Sequence, residues 1–172
     1  MSKRYTANLP FGVMIKFEEI LQRPVRKDND WFISIYPDEQ YGRIQTPIVE
    51  NTHYAMFWDD VDPKHPLNFN DDQARSMAEF IRMVKAKDGN LWVNCIAGIS
   101  RSGAVVETLI RLGWTDLEHW SQETRYPNPL VFQRLTKHFP ELMMPTPPMS
   151  ADTWNSLLRS PRAVNPSLYF GD

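Results

Sequence analysis

Short apolar runs and a helical repeat of apolar residues divide the middle of the chain into strands and helices. The runs WFISIYP (31–37) and HYAMFW (53–58) are ended by proline and by acidic residues, so each predicts a buried strand. Asn70 and Gln73 have the spacing of a capping box, and apolar residues follow at helical intervals, so a helix is predicted there. LWVN (91–94) predicts a third strand.

Three more helices are predicted after the third strand. The segment 104–112 is mostly apolar, Thr115 opens a second capping box, and Asn128 precedes Pro129 as at a helix start, with a helix to about His138. Strands that alternate with helices over short links predict an α/β fold with a central, largely parallel sheet flanked by helices.

Length and composition indicate one soluble domain. The chain has 172 residues, 42% of them hydrophobic, which is enough for a core. We expect a single domain over residues 1–144, with its core at about 30–140, followed by a Pro-rich C-terminal tail over 145–172. The net charge of −2 gives no overall basic field, so neither nucleic acid nor a membrane is expected as a partner.

The single cysteine, Cys95, excludes an intramolecular disulfide and indicates a reducing compartment. The start of the chain does not resemble a secretory signal, and no window holds enough apolar residues for a membrane span. The expected location is therefore cytoplasmic. The four histidines show no metal-ligand spacing, so no metal or other cofactor is expected.

The stretch NCIAGISRSG (94–103) lies between a predicted strand and a predicted helix. A tight loop before a helix can turn its N–H groups inward and form a nest for an anion. Gly98 suits such a turn because it adopts a positive φ without strain, and Arg101 can give two parallel hydrogen bonds to a tetrahedral oxyanion.

Cys95 stands at the base of this loop. A lone cysteine is more often a small buried hydrophobic residue than a catalyst. Here, however, the helix terminus, the converging amides and Arg101 would all favour the thiolate, which is the nucleophilic form. Because these features occur together between a strand and a helix, the sequence favours a reactive thiol over a structural one.

The loop resembles the phosphate-binding loop of the cysteine-dependent protein tyrosine phosphatase superfamily, and AGISRS most resembles its dual-specificity branch. An upstream strand that ends in acidic residues and a downstream YPNPLVFQRL helix are similar to the same family. The resemblance covers roughly residues 30–140 and implies a phosphatase-like catalytic domain of that family's α/β architecture.

The resemblance implies a role for each loop residue. Cys95 would be the nucleophile that forms a phosphocysteine, Arg101 would bind two equatorial phosphoryl oxygens, and Ser102 would help the thiolate leave during hydrolysis. The phosphate-binding segment would consist of Ile96, Ala97, Gly98, Ile99, Ser100 and Arg101.

The general acid is left open among three aspartates. Protonation of the leaving oxygen requires a carboxylic acid near the loop. Counted from the end of the second strand, Asp59 fits the family position best, Asp60 is second and Asp62 is third. The alternative is that these residues only cap or solvate a turn.

The sequence departs from the family at Asn94, where members usually carry a histidine that orders the loop and helps the thiol ionise. Asparagine cannot carry charge, so we expect a thiol that ionises less readily and an activity optimum at higher pH. Ile96 makes the rim of the site more apolar than usual.

The expected function is a phosphomonoester hydrolase acting on phosphorylated proteins, with small phosphate esters as other substrates. A first alternative is a catalytically weak or inactive pseudophosphatase that binds phosphorylated partners, which Asn94 favours. A second is the chemistry of arsenate reductases or low-molecular-weight phosphatases. The reductases generally need a second thiol, which the sequence lacks, and the small phosphatases carry their loop near the N-terminus.

Overall fold

The computed structural model describes residues 3–10, 14, 16–38, 49–62, 64–117 and 125–142. In this part of the chain the strands are β1 (Tyr5–Pro10), β2 (Asp30–Tyr36), β3 (Thr52–Met56), β4 (Asn90–Cys95) and β5 (Thr115–Asp116). The helices are α1 (Phe17–Leu21), α2 (Asp71–Ala86), α3 (Arg101–Arg111) and α4 (Pro129–Thr136), and a 3₁₀ turn spans Pro140–Leu142.

The strands form one sheet in the order β3-β2-β4-β1-β5, and every pairing between neighbours is parallel. The predicted α/β fold with a largely parallel sheet is confirmed. Because all strands run the same way, their carboxyl ends lie at one edge. The end of the central strand β4 lies there between β1 and β2, in the register Pro10↔Cys95 and Ser34↔Asn94.

Helices cover both faces of the sheet. On one face α2, α3 and α4 pack on the larger core, which includes Ile33 and Ile35 of β2 and Val93 of β4. On the other face α1 places Phe17 edge-on against Phe32 and Trp92, with ring centroids 5.3 and 5.2 Å away. Alternate residues of β2 and β4 thus enter opposite cores, as the pleat of a buried strand requires.

The predicted helix starts at Asn70 and Asn128 are confirmed. Asn70 and Gln73 form the full reciprocal capping box before α2. The Asn128 side chain accepts hydrogen bonds from the amides of Leu130 and Val131 at the start of α4. These caps satisfy backbone donors that would otherwise lack a partner in the first helical turn.

Two features of the N-terminal and C-terminal parts differ from the predictions. The strand β1 and the short helix α1 were not predicted, because polar Thr6 and Asn8 interrupt the apolar run of β1. Thr115 begins the short strand β5, since its amide bonds the carbonyl of Arg4, 2.7 Å away, and extends the sheet. Residues 118–124, where the helix after Thr115 was predicted, lie outside the described residues.

The predicted tail over 145–172 lies outside the described residues, so the division into domain and tail stays a prediction. None of the helices in the described ranges is long and apolar enough to cross a membrane.

A buried carboxylate joins the strands at the amino edge of the sheet. The Asp30 side chain is fully buried and accepts hydrogen bonds from both Nη atoms of Arg23, at 2.7 and 2.9 Å. It also accepts the Arg26 amide, the Asn90 side chain and the Trp92 indole N–H, at 2.8 to 3.0 Å. Burial alone would raise the pKa of Asp30, but these hydrogen bonds lower it to about 2.

The first prediction concerns this carboxylate. Because its folded pKa lies below the usual value of 3.8, ionised Asp30 stabilises the fold above about pH 4, and that contribution is lost as the pH falls through about 2. We expect Asp30→Asn to lower the free energy of unfolding at pH 7 by about 3 kcal/mol, since it leaves Arg23 without its buried partner.

Denaturant unfolding at pH 7 and pH 3 measures the effect. The difference between Asp30→Asn and wild type should shrink at pH 3, whereas Asp72→Asn, whose side chain is 87% exposed, should change little at either pH. An equal loss for Asp30→Asn at both pH values would contradict the role assigned to the charge.

Candidate active site

The loop 96–100 connects the end of β4 to the start of α3 at the carboxyl edge of the sheet. This edge is where open parallel sheets bind their ligands. Cys95 is the last residue of β4 and Arg101 is the first of α3. The predicted nucleophile and the predicted phosphate-binding arginine therefore flank the loop.

Gly98 lets the loop turn tightly against β1. Its φ is +67°, and a Cβ added there would lie 2.3 Å from the backbone nitrogen of Pro10 and 2.5 Å from the carbonyl carbon of Leu9. Both atoms belong to the backbone of a buried strand and cannot move aside. Glycine is therefore required here both for its backbone conformation and for its lack of a side chain.

The carbonyls of the loop are held by neighbouring parts of the chain. The Gly98 carbonyl accepts the Asn8 side-chain amide at 2.6 Å, and the Ile99 carbonyl accepts the Tyr126 amide at 3.3 Å. The Ser100 carbonyl accepts the Asn128 amide at 3.1 Å. None of the amides 96–100 donates to an acceptor within the described ranges, so these N–H groups are available to an anion.

The start of α3 lacks the cap that α2 and α4 have. Ser100 occupies the N-cap position but makes no side-chain capping bond, and its hydroxyl instead donates to Asp59 Oδ1 at 2.9 Å. The first turn of α3 contains no acidic residue. The partial positive charge of this helix terminus is therefore not neutralised by the helix's own side chains.

Cys95 and Ser102 lie together beneath the loop. The Cys95 Sγ is 3.2 Å from the Ser102 Oγ, and the two residues are 2% and 0% exposed. The structure thus places the predicted nucleophile within hydrogen-bond distance of the hydroxyl that the family resemblance pairs with it.

Arg101 reaches from the start of α3 to the end of β3. Its Nη1 donates to the Phe57 carbonyl at 3.1 Å, which fixes the orientation of the guanidinium. The residue is only 7% exposed, and its Nε–H is buried with no acceptor in the described part of the chain. A buried donor without a partner is costly, and a bound anion would supply that partner.

The three candidate acids differ in their surroundings. Asp59 Oδ1 accepts both the Ser100 hydroxyl and the Asn128 side-chain amide, the latter at 2.8 Å. Asp60 and Asp62 instead bond to their own turn, where they accept the amides of Asp62 and Lys64. The structure therefore ties only Asp59 of the three to the loop, through a side chain of the loop itself.

Asn94 contacts the neighbouring strand. Its Oδ1 accepts the Ser34 hydroxyl at 3.1 Å, and its Nδ2 is buried without a partner among the described residues. Because successive residues of a strand point to opposite faces, this side chain leaves β4 on the face opposite to Cys95.

The predicted site residues from Asn94 to Ser102 run from the end of β4 through the loop into the start of α3, whereas Asp59 and Asp60 follow β3. Ile96 is partly buried and Ala97 is exposed, so both lie on the accessible side of the loop. Sequence reasoning missed the contacts of Asn8 and Arg125 near the loop, and it treated Asn128 only as a helix cap. In the ranges that the structure covers, no group of three His, Cys, Asp or Glu residues could hold a metal ion.

The chain resembles a solved structure but matches no known sequence family. No family model matches the chain, and no curated protein matches it. The crystal structure of human tyrosine phosphatase-like serine/threonine/tyrosine-interacting protein is similar at 21% sequence identity and a TM-score of 0.48. The match covers 75% of this chain and 87% of that one.

Proposed function

We propose that the chain is a cysteine-dependent phosphomonoester hydrolase of the dual-specificity phosphatase type. One observation carries the proposal. In the segment that follows a buried thiol, the loop amides and the Arg101 Nε–H have no acceptor among the described residues, and α3 starts without a side-chain cap. These donors suit a doubly charged tetrahedral oxyanion, and the thiol suits attack on its central atom.

In the first chemical step the Cys95 thiolate attacks phosphorus, and the bond from phosphorus to the ester oxygen breaks. The charge on the phosphoryl oxygens is stabilised by the loop amides and by the Nε and Nη2 edge of Arg101. The leaving oxygen takes a proton from Asp59. The two hydrogen bonds that Asp59 accepts from described residues both end at Oδ1, and Oδ2 is the oxygen that would hold that proton.

In the second step a water attacks phosphorus, and the sulfur–phosphorus bond breaks to release inorganic phosphate. Asp59, now ionised, accepts a proton from this water. The Ser102 hydroxyl, 3.2 Å from the sulfur, donates a hydrogen bond to the departing thiolate. The reaction consumes one ester and one water and needs no metal or other cofactor.

The proposed substrates are phosphorylated proteins carrying phosphotyrosine or phosphoserine and phosphothreonine, with small phosphate esters as further substrates. Ile96 at the rim favours an apolar group beside the phosphate. We place the enzyme in the cytoplasm on the basis of its single cysteine, which suits a reducing compartment.

A pseudophosphatase that binds phosphorylated partners without turnover is the second candidate. The observation that favours it is Asn94, which stands where the family usually has a histidine. Its uncharged side chain bonds Ser34 on the next strand and provides no positive charge to favour the thiolate. Intact Cys95, Arg101 and Ser102 favour the active enzyme.

The second prediction tests the proposal itself. Wild type should hydrolyse p-nitrophenyl phosphate in EDTA, with its optimum displaced to higher pH by Asn94. Cys95→Ser should lose turnover by roughly a thousandfold or more, because the serine hydroxyl is a far weaker nucleophile. Vanadate should still bind to Cys95→Ser, since the loop amides and Arg101 remain.

Steady-state rates from pH 5 to pH 9 and vanadate titration by calorimetry give both readouts. A wild type that binds vanadate but does not turn over would replace the hydrolase with the pseudophosphatase. A wild type that neither binds vanadate nor turns over would overturn both candidates.

The third prediction identifies the acid. Asp59→Asn keeps an oxygen to accept the Ser100 and Asn128 hydrogen bonds but cannot donate the proton. We expect kcat/KM, which reports the first chemical step, to fall by roughly 100-fold for phenyl phosphate, whose leaving group is strongly basic, and much less for p-nitrophenyl phosphate. Asp60→Asn and Asp62→Asn are the matched controls and should leave kcat/KM unchanged for both substrates. A larger, leaving-group-dependent loss in either control would move the role to that residue.

A further inference from the structure

Asn8 lies under the loop although it belongs to the first strand. It is buried in the middle of β1, 1% exposed, and its Nδ2 donates to the Gly98 carbonyl across 90 positions of sequence. Because a peptide's C=O and N–H point in opposite directions, a bond that pulls this carbonyl outward turns the following N–H towards the inside of the loop.

Arg125 holds Asn8 in the orientation that this bond requires. Its Nε donates to the Asn8 Oδ1 at 2.9 Å, which fixes which end of the amide faces Gly98. Its guanidinium also pairs with Asp116 on β5 and with Glu107 on α3. The side chain is 9% exposed, so it is set among these partners rather than directed into solvent.

The Arg125 stem also packs on the first turn of α3. A Cβ added to Gly103 would lie 2.9 Å from the Arg125 Cγ, so glycine leaves room for that stem. The backbone that follows Arg125 then supplies the Tyr126 and Asn128 amides to the next two loop carbonyls. The segment 125–128 therefore runs beside the loop and contacts it through both side chains and backbone.

We propose that Asn8 and Arg125 are positioning residues for oxyanion binding, with Arg125 acting through Asn8 to hold the Gly98 carbonyl outward. The inference rests on the proposed function, because it concerns the same loop. Neither residue contacts the reacting atoms. Their effect is to orient the loop amides before the anion arrives, which makes binding stronger for the same set of contacts.

The fourth prediction compares two matched variants of β1. Asn8→Leu and Thr6→Val each replace a buried polar residue by an apolar one of similar size, and each removes a bond to a main-chain carbonyl. Thr6 donates to Leu91, at 2.7 Å, far from the loop along β4. We expect both to lower the Tm, but only Asn8→Leu should weaken vanadate binding, by roughly tenfold.

Vanadate affinity by calorimetry and Tm by scanning calorimetry are measured on the full chain. Vanadate binding does not require turnover, so the test works whether the protein is a hydrolase or a pseudophosphatase. If wild type fails to bind vanadate, the proposed function itself is wrong. If wild type binds and Asn8→Leu retains its affinity as Thr6→Val does, the function stands and the positioning role is wrong.

Arg125→Met is a second, independent test, because it removes the residue that orients Asn8 and leaves Asn8 in place. Arg111→Met is its control, because Arg111 also pairs with Glu107 but does not contact Asn8. Vanadate affinity should fall in Arg125→Met and not in Arg111→Met. Arg125→Met should cause no further loss when added to Asn8→Leu, since both act through one carbonyl. Additive losses, or equal affinities for the two arginine variants, would contradict the proposal.

Discussion

The geometry of the site depends on Gly98, which has a positive φ and packs directly against the backbone of β1. The contact leaves no room for a Cβ, so the loop must turn here. Three successive carbonyls around this turn, those of Gly98, Ile99 and Ser100, accept hydrogen bonds from the Asn8 side chain, the Tyr126 amide and the Asn128 amide. The N–H groups of the loop are left without protein acceptors in the described ranges, and together with the uncapped start of α3 they form a concentrated set of donors.

The rest of the fold keeps β1 and β4 in the positions that this contact requires. At the carboxyl edge their register sets Pro10 beside Cys95, so the loop leaves β4 directly next to the end of β1. At the opposite edge, Asn90 bonds both the Tyr5 amide and the buried carboxylate of Asp30. The Asp30 cluster therefore lies at the amino ends of the strands. The loop that follows Cys95 lies at their carboxyl ends.

Much of the fold could be predicted from the sequence because its signals are local. The capping box at Asn70 and the Asn-Pro start of α4 each lie within a few residues, as does the loop that joins Cys95 to Arg101. Strand β1 was missed because its polar residues, Thr6 and Asn8, form hydrogen bonds to residues 85 and 90 positions away. Nothing in a local pattern distinguishes such residues from a polar, exposed segment.

The same limit applies to the site. Spacing ranked Asp59 ahead of Asp60 and Asp62 but left the choice open, since all three follow one strand closely. The structure separates them because Asn128 and Ser100 meet at Asp59, and those two residues are far from it in sequence. Likewise, the dependence of Asn8 on Arg125 joins residues 117 positions apart. Candidate residues that lie together in one loop can be predicted from the sequence. The long-range hydrogen bonds that orient them form only when the sheet is assembled.

The central claim is that the thiol of Cys95 attacks phosphorus within this cradle. The most direct measurement is mass spectrometry of the protein after rapid acid quench during turnover of p-nitrophenyl phosphate, with peptide mapping of any adduct. The account predicts the added mass of one phosphoryl group on the peptide that contains Cys95, more abundant in Ser102→Ala because the thiolate leaves more slowly. Turnover without this adduct in either protein, or an adduct on another residue, would contradict the account.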